Sequence, residues 1–142
     1  MKPKKLLLCV DSSNESQRAL EVALDIAEAG SEIFAVNVVN RHVVSRMVKT
    51  QGRTLAEAEV ELEETGWHYL YAAEEVCKNH GVHVTILQEN GCPEEIIPRL
   101  AERLAADLII VGQSHMQKGD LLQGALAQQL IEHAACAVLV VK

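Results

Sequence analysis

Short apolar runs alternate with segments of helical period along the whole chain. Lys5 to Val10 (KLLLCV) is a continuous apolar run, as expected of a strand covered on both faces. From Asn14 to Glu28, Ala19, Leu20, Ala23, Leu24, Ile26 and Ala27 recur at helical spacing. Asn14 with Gln17 reads as a capping box there, and Gly30 as the stop. Ile33 to Val39 (IFAVNVV) predicts a second strand. Residues 40–53 are polar and basic apart from Val43-Val44 and Met47-Val48, and read as a mobile connection or an irregular start to the next helix. Thr54 and Glu57 form a capping box for a helix reaching about Asn79, with Gly81 ending it. Gly66 interrupts that helix at a cost of about 1 kcal/mol relative to Ala. The glutamates between Glu57 and Glu64 read as a solvated face near the positive end of the helix dipole. Val82 to Gln88 alternates as a strand does. Pro93 suits the first turn of a helix reaching about Ala105, which Pro98 should kink or shorten. Asp107 to Val111, Gly124 to His133 and Ala137 to Val141 complete the pattern as strand, helix and strand.

Strands alternating with helices force parallel pairing through right-handed crossovers. The chain is therefore expected to fold as one α/β domain over residues 1–142. Its core would be a doubly wound five-stranded parallel sheet in the order 3-2-1-4-5, with helices on both faces. Strands 1 and 4 would flank the switch point, where ligands bind in such sheets. The stretch from Leu108 through Gly112, the loop 113–123 and Gly124-Ala125 lies there, and phosphate-bearing ligands favour a helix start of this kind. The last strand, Ala137 to Val141, would be an apolar edge, which predicts a homodimer through it.

Composition narrows the function. The 142 residues carry a formal charge of −7, which excludes the clustered basic surface of a nucleic-acid binder. No apolar run approaches the ~20 residues of a membrane span, so no membrane association is expected and a cytoplasmic location is the default. Cys9, Cys77, Cys92 and Cys136 are scattered, without a CxxC pair or a histidine at metal-ligand spacing, so neither a metal site nor disulfides are expected. Cys92 stands apart because it precedes a helix N-terminus, an environment that activates thiols.

Several pieces resemble the universal stress protein family over essentially the whole length. They are KLLLCVDSS with Asp11, AVNVV, Gly91-Cys92-Pro93 before an isoleucine-containing helix, ADLIIVG, and the closing HAACAVLVVK. The resemblance implies either ATP binding through a loop of the form G-x2-G-x9-G-[S/T] after the fourth strand, or a nucleotide-free member lacking that loop. Gly112 and Gly124 match its first and third glycines, one residue closer than the pattern requires. His115 or Met116 stands for the second glycine, and Ala125 for the final hydroxyl residue. His and Met tolerate a positive φ poorly, and Ala125 keeps its backbone N–H but has no hydroxyl to donate. Asp120 adds negative charge, and Lys118 and Gly119 are the remaining phosphate candidates. By the same resemblance Asp11 lies near the nucleoside and Val38 lines the adenine pocket.

Each residue has a plainer reading beside that one. Asp11 suits a cap or turn, Gly112 and Gly124 a strand exit and a helix start, His115 an ordinary loop position, and His133 a structural role. Two functions follow: a homodimeric stress-response or signalling module with weak or no nucleotide binding, or a regulator binding ATP or AMP at the switch point. No Ser–His–Asp set, HExxH, P-loop or carboxylate pair marks an enzyme.

Overall fold

Strands that are apolar on both faces need cover from both sides, and the intervening helices supply it. The computed structural model describes residues 2–113 and 121–142, apart from the side chains of 121–125. Its elements are β1 (Lys5–Cys9), α1 (Asn14–Ile26), β2 (Glu32–Asn40), α2 (Arg41–Gln51), α3 (Leu55–Asn79), β3 (His83–Gly91), α4 (Pro93–Leu104), β4 (Leu108–Gly112), α5 (Leu121–His133) and β5 (Ala137–Val141). All pairs are parallel and the sheet order is β3-β2-β1-β4-β5, as the alternation predicts. β1 is central: Leu7 stands opposite Phe34 on one side and Ile109 on the other.

The two-residue period of β1 divides the core into two layers. Leu6, Leu8 and Val10 pack with Ala19 and Ala23 of α1 and with Leu70, Ala73 and Cys77 of α3. Leu7 packs on the other side with Ile97 and Leu100 of α4 and Leu130 of α5. Leu6, Leu7 and Leu8 are wholly buried, each contributing roughly 1.5–3 kcal/mol of transfer free energy.

Several local signals hold. Thr54 and Glu57 make both bonds of the capping box, Pro93 opens α4, and Gly81 leaves α3 at φ +70°. Others are corrected. Residues 41–51 are not an irregular connection but form α2, capped by the Asn40 side chain and closed by Gly52 at φ +64°. Val44 of α2 is buried with Val39 and Ala58, and Met47 and Val48 pack against them. A stripe this narrow leaves little periodic signal in a polar segment. The N-cap of α1 is Ser13, one residue before the expected Asn14, and the helix ends at Ile26 rather than Glu28. Ser13 wins because Asp11 Oδ1 accepts from its N–H at 2.7 Å and its own Oγ accepts from Ser16 N–H at 3.1 Å. Pro98 does not shorten α4, where Ile97, Leu100 and Ala101 are buried on the sheet and offset the lost backbone bond. α5 begins at Leu121, three residues before the expected Gly124, since Leu121, Leu122 and Gln123 are all good helix formers.

Candidate functional site

From β1 the chain winds towards β2, whereas β4 and β5 lie on the other side of β1, so the carboxyl ends of β1 and β4 frame a crevice. A cleft of about 790 Å³ opens there, walled by the ends of β1, β2 and β4, the first turns of α1 and α4, and faces of α2 and α3. That volume lies within the range of small-molecule sites.

Asp11, Val38 and Gly112 all line it. Asp11 is exposed, and its Oδ1 accepts from Ser13 N–H at 2.7 Å and from Ser13 Oγ at 2.5 Å. The turn role is therefore real, and among the described residues no partner takes Oδ2. Val38 is half-buried at the end of β2. Gly112 has a packing reason of its own. A Cβ there would stand 2.6 Å from the Glu15 carbonyl carbon and 2.8 Å from Ser16 N, so glycine lets the end of β4 pass against the first turn of α1. Gly124 and Ala125 fall inside α5 rather than at its start, while Leu126 reaches the cleft. His115 lies outside the described residues, as do Met116, Lys118, Gly119 and Asp120.

Sequence reading missed the polar floor of the cleft. Asn37, 8% exposed in the middle of β2, donates to Val10 O at 3.0 Å and so holds the exit of β1. Gln88 Nε2 donates to Asn37 Oδ1 at 3.2 Å and to Glu63 O at 3.0 Å in α3. Gly66 makes the room: a Cβ there would stand 2.1 Å from Asn37 Oδ1. Two signals point to this network, a glycine inside a long helix and an asparagine in an apolar strand.

The charge around the cleft is mixed. Among its described lining residues, Asp11, Glu15 and Glu94 carry carboxylates and Arg46 is the one arginine. Glu15 is buried, with Arg18 Nη2 at 3.6 Å. His42 Nε2 lies 2.8 Å from Glu94 Oε1. Desolvation pushes the Glu94 carboxyl up, but the hydrogen bonds from His42 and from its own backbone, with the His42 charge, hold it below the usual carboxylate range. Cys9 keeps some surface on the cleft wall, yet burial, and secondarily the charge of Asp11, pushes its thiol up to about 12.

Residues 2–142 match the family model described as the universal stress protein family. The chain belongs to that family. A universal stress protein of Methanocaldococcus jannaschii is 32% identical over 142 residues, covering 98% of this chain and 82% of that protein. Among solved structures, the hypothetical protein MJ0577 superposes with a TM-score of 0.83 at 22% identity, covering 100% of this chain and 97% of that one. The universal stress protein of Archaeoglobus fulgidus in complex with dAMP gives 0.69 at 22% identity, over the full length of both. The five-stranded order and the helices on both faces are those of the universal stress protein fold. Among the described residues no helix is long and apolar enough to cross a membrane.

Proposed function

We propose that this universal stress protein is a regulatory module whose switch-point cleft takes the adenosine part of a nucleotide, holding a monophosphate at least as well as a triphosphate. The observation that carries the reading is the open 790 Å³ cleft with Asp11 and Val38 on its wall. Half-buried Val38 offers an apolar surface to a base, and Asp11 Oδ2 an acceptor for ribose hydroxyls. A relative of the same fold is described as a dAMP complex, which supports the same chemistry here. The phosphate end is poorer. The loop is one residue short, Ala125 donates only through its backbone, and the three described carboxylates outnumber the arginine. Among the described residues each further phosphate therefore meets more negative than positive charge.

The deciding experiment is calorimetric titration of nucleotide-stripped protein with adenosine, AMP and ATP, the last with and without Mg²⁺. The reading requires AMP to bind as tightly as ATP or more tightly, and Asp11→Ala to weaken both by about tenfold or more. ATP binding much more tightly than AMP would overturn the monophosphate preference. Silence with all three at millimolar concentration would overturn nucleotide binding and leave the second reading, a nucleotide-free interaction module, which the altered loop favours. In either reading β5 pairs with a second copy, because its outer edge has no strand neighbour among the described residues and its side chains are apolar.

A further inference from the structure

We infer that His42, Cys92 and Glu94 form a binding site for a borderline transition-metal dication of the zinc class, on the rim of the cleft and independent of nucleotide. His42 belongs to the first turn of α2; Cys92 and Glu94 open α4. His42 precedes Cys92 by fifty residues and Glu94 by fifty-two, and the sheet joins them. β2 and β3 pair in register as far as Asn40 opposite Gly91, and each strand then turns directly into its helix. The two helix starts must therefore emerge side by side. One ligand atom from each residue, the imidazole nitrogen, the sulfur and a carboxylate oxygen, lies within 4.8 Å of the other two.

The backbone around each ligand is already held. Asn40 Oδ1 accepts from His42 N–H at 2.9 Å, and the Cys92 carbonyl accepts from Glu95 N and Ile96 N, both at 2.9 Å. Gly91 at φ +147° makes the sharp exit from β3 that seats Cys92 as the N-cap of α4. Cys92 makes no side-chain cap bond, so its sulfur is not used up in ending the helix. Glu94 is already drawn to His42, whose Nε2 lies 2.8 Å from its Oε1.

The donor set chooses the metal. Sulfur, imidazole nitrogen and one carboxylate oxygen suit zinc and its borderline neighbours, and not magnesium or calcium, which want oxygen alone. Zinc bond lengths of about 2.0–2.3 Å put tetrahedral ligand atoms roughly 3.3–3.6 Å apart. From the present arrangement the His42–Glu94 pair, 2.8 Å apart, would part slightly, and the sulfur already lies within 4.8 Å of both partners. Charge also balances, since a thiolate and a carboxylate neutralise a dication while imidazole binds neutral. The helix N-termini oppose a bare cation but favour these two anionic ligands. Three protein ligands leave a coordination position for water or for a group bound in the cleft, which His42 and Glu94 both line.

The test uses the full chain, reduced, stripped of metal and free of nucleotide, so its outcome stands apart from the nucleotide reading. Zn²⁺ alone is titrated into wild type and into Cys92→Ser, His42→Gln and Glu94→Gln, and Co²⁺ is used as a spectroscopic probe. Binding of one ion per chain, at least about tenfold weaker in each variant, is expected. A near-ultraviolet sulfur-to-cobalt charge-transfer band, absent in Cys92→Ser, is expected as well. Cys9, Cys77 and Cys136 remain in that variant and control for binding at other thiols. Zn²⁺ affinity unchanged by Cys92→Ser, a cobalt complex without the sulfur band, or no binding at all would each overturn the site.

Discussion

Gly66→Ala tests whether the polar floor of the cleft, rather than helix chemistry, selects glycine in the middle of α3. Propensity alone predicts a gain of about 1 kcal/mol, because alanine stiffens a helix interior. The structure predicts the opposite sign. The added Cβ would stand 2.1 Å from Asn37 Oδ1 and 2.6 Å from Gln88 Nε2, and Asn37 cannot retreat without giving up its bond to Val10 O. Overpacking costs about 1–3 kcal/mol and an unsatisfied buried amide a similar amount, so after the helical gain a net loss on the order of 2 kcal/mol is expected. For a domain of this size that lowers Tm by roughly 4–8 °C. Urea unfolding followed by the fluorescence of Trp67, the chain's one tryptophan, reads the change from the neighbouring position. Protein concentration is held fixed because self-association would otherwise enter the result. A double-mutant cycle isolates the cause. Asn37→Ala removes two of the three atoms nearest the new methyl group and leaves the flexible end of Gln88, so the cost of Gly66→Ala should shrink by about 1 kcal/mol or more. A Gly66→Ala protein more stable than wild type, or an equal cost in both backgrounds, would refute the argument.

Two further outcomes follow from other parts of the molecule. Leu139→Asp puts a charge on the β5 edge and should halve the mass measured by sedimentation; Leu139 also packs on one core layer, so a loss of about 1–3 kcal/mol accompanies it. A folded variant that remains dimeric would exclude β5 as the interface. Asp107 is held below the ordinary carboxylate value of 3.8 by hydrogen bonds from Lys5 and Lys4 N–H. Its folded value is the lower one, so the unfolded chain takes up the proton first as pH falls. The contribution is complete above the ordinary value and is lost as pH drops through the lowered one. The stability gap between wild type and Asp107→Asn should therefore close as pH falls from about 5 towards 2 in urea titrations; a constant gap would show that Asp107 acts without its charge.

Much of this molecule is written in one dimension. The strand runs, the Thr54–Glu57 box, the stop at Gly81, and Pro93 at the head of α4 are local rules, each satisfied within a few residues of chain, whereas α1 stops at Ile26 with Ala27 as its cap, short of Gly30. Their order alone requires a parallel sheet wound both ways, and with it a crevice at the ends of β1 and β4. The resemblance of the opening, the Gly91-Cys92-Pro93 corner and the closing strand was enough to identify the family, which the full-length match establishes. What the sequence left hidden is whatever depends on two segments meeting. The helicity of α2 rests on Val44 finding Val39 and Ala58. Gly66 and Gly112 are glycines because of Asn37 and of the α1 backbone, neither of them a chain neighbour. His42, Cys92 and Glu94 converge only because β2 and β3 run in register to their ends. Periodicity records which face of an element is covered, since burial acts on every apolar side chain in the same way. It carries no record of what covers that face, because register and layer packing select the partner only once the sheet has closed.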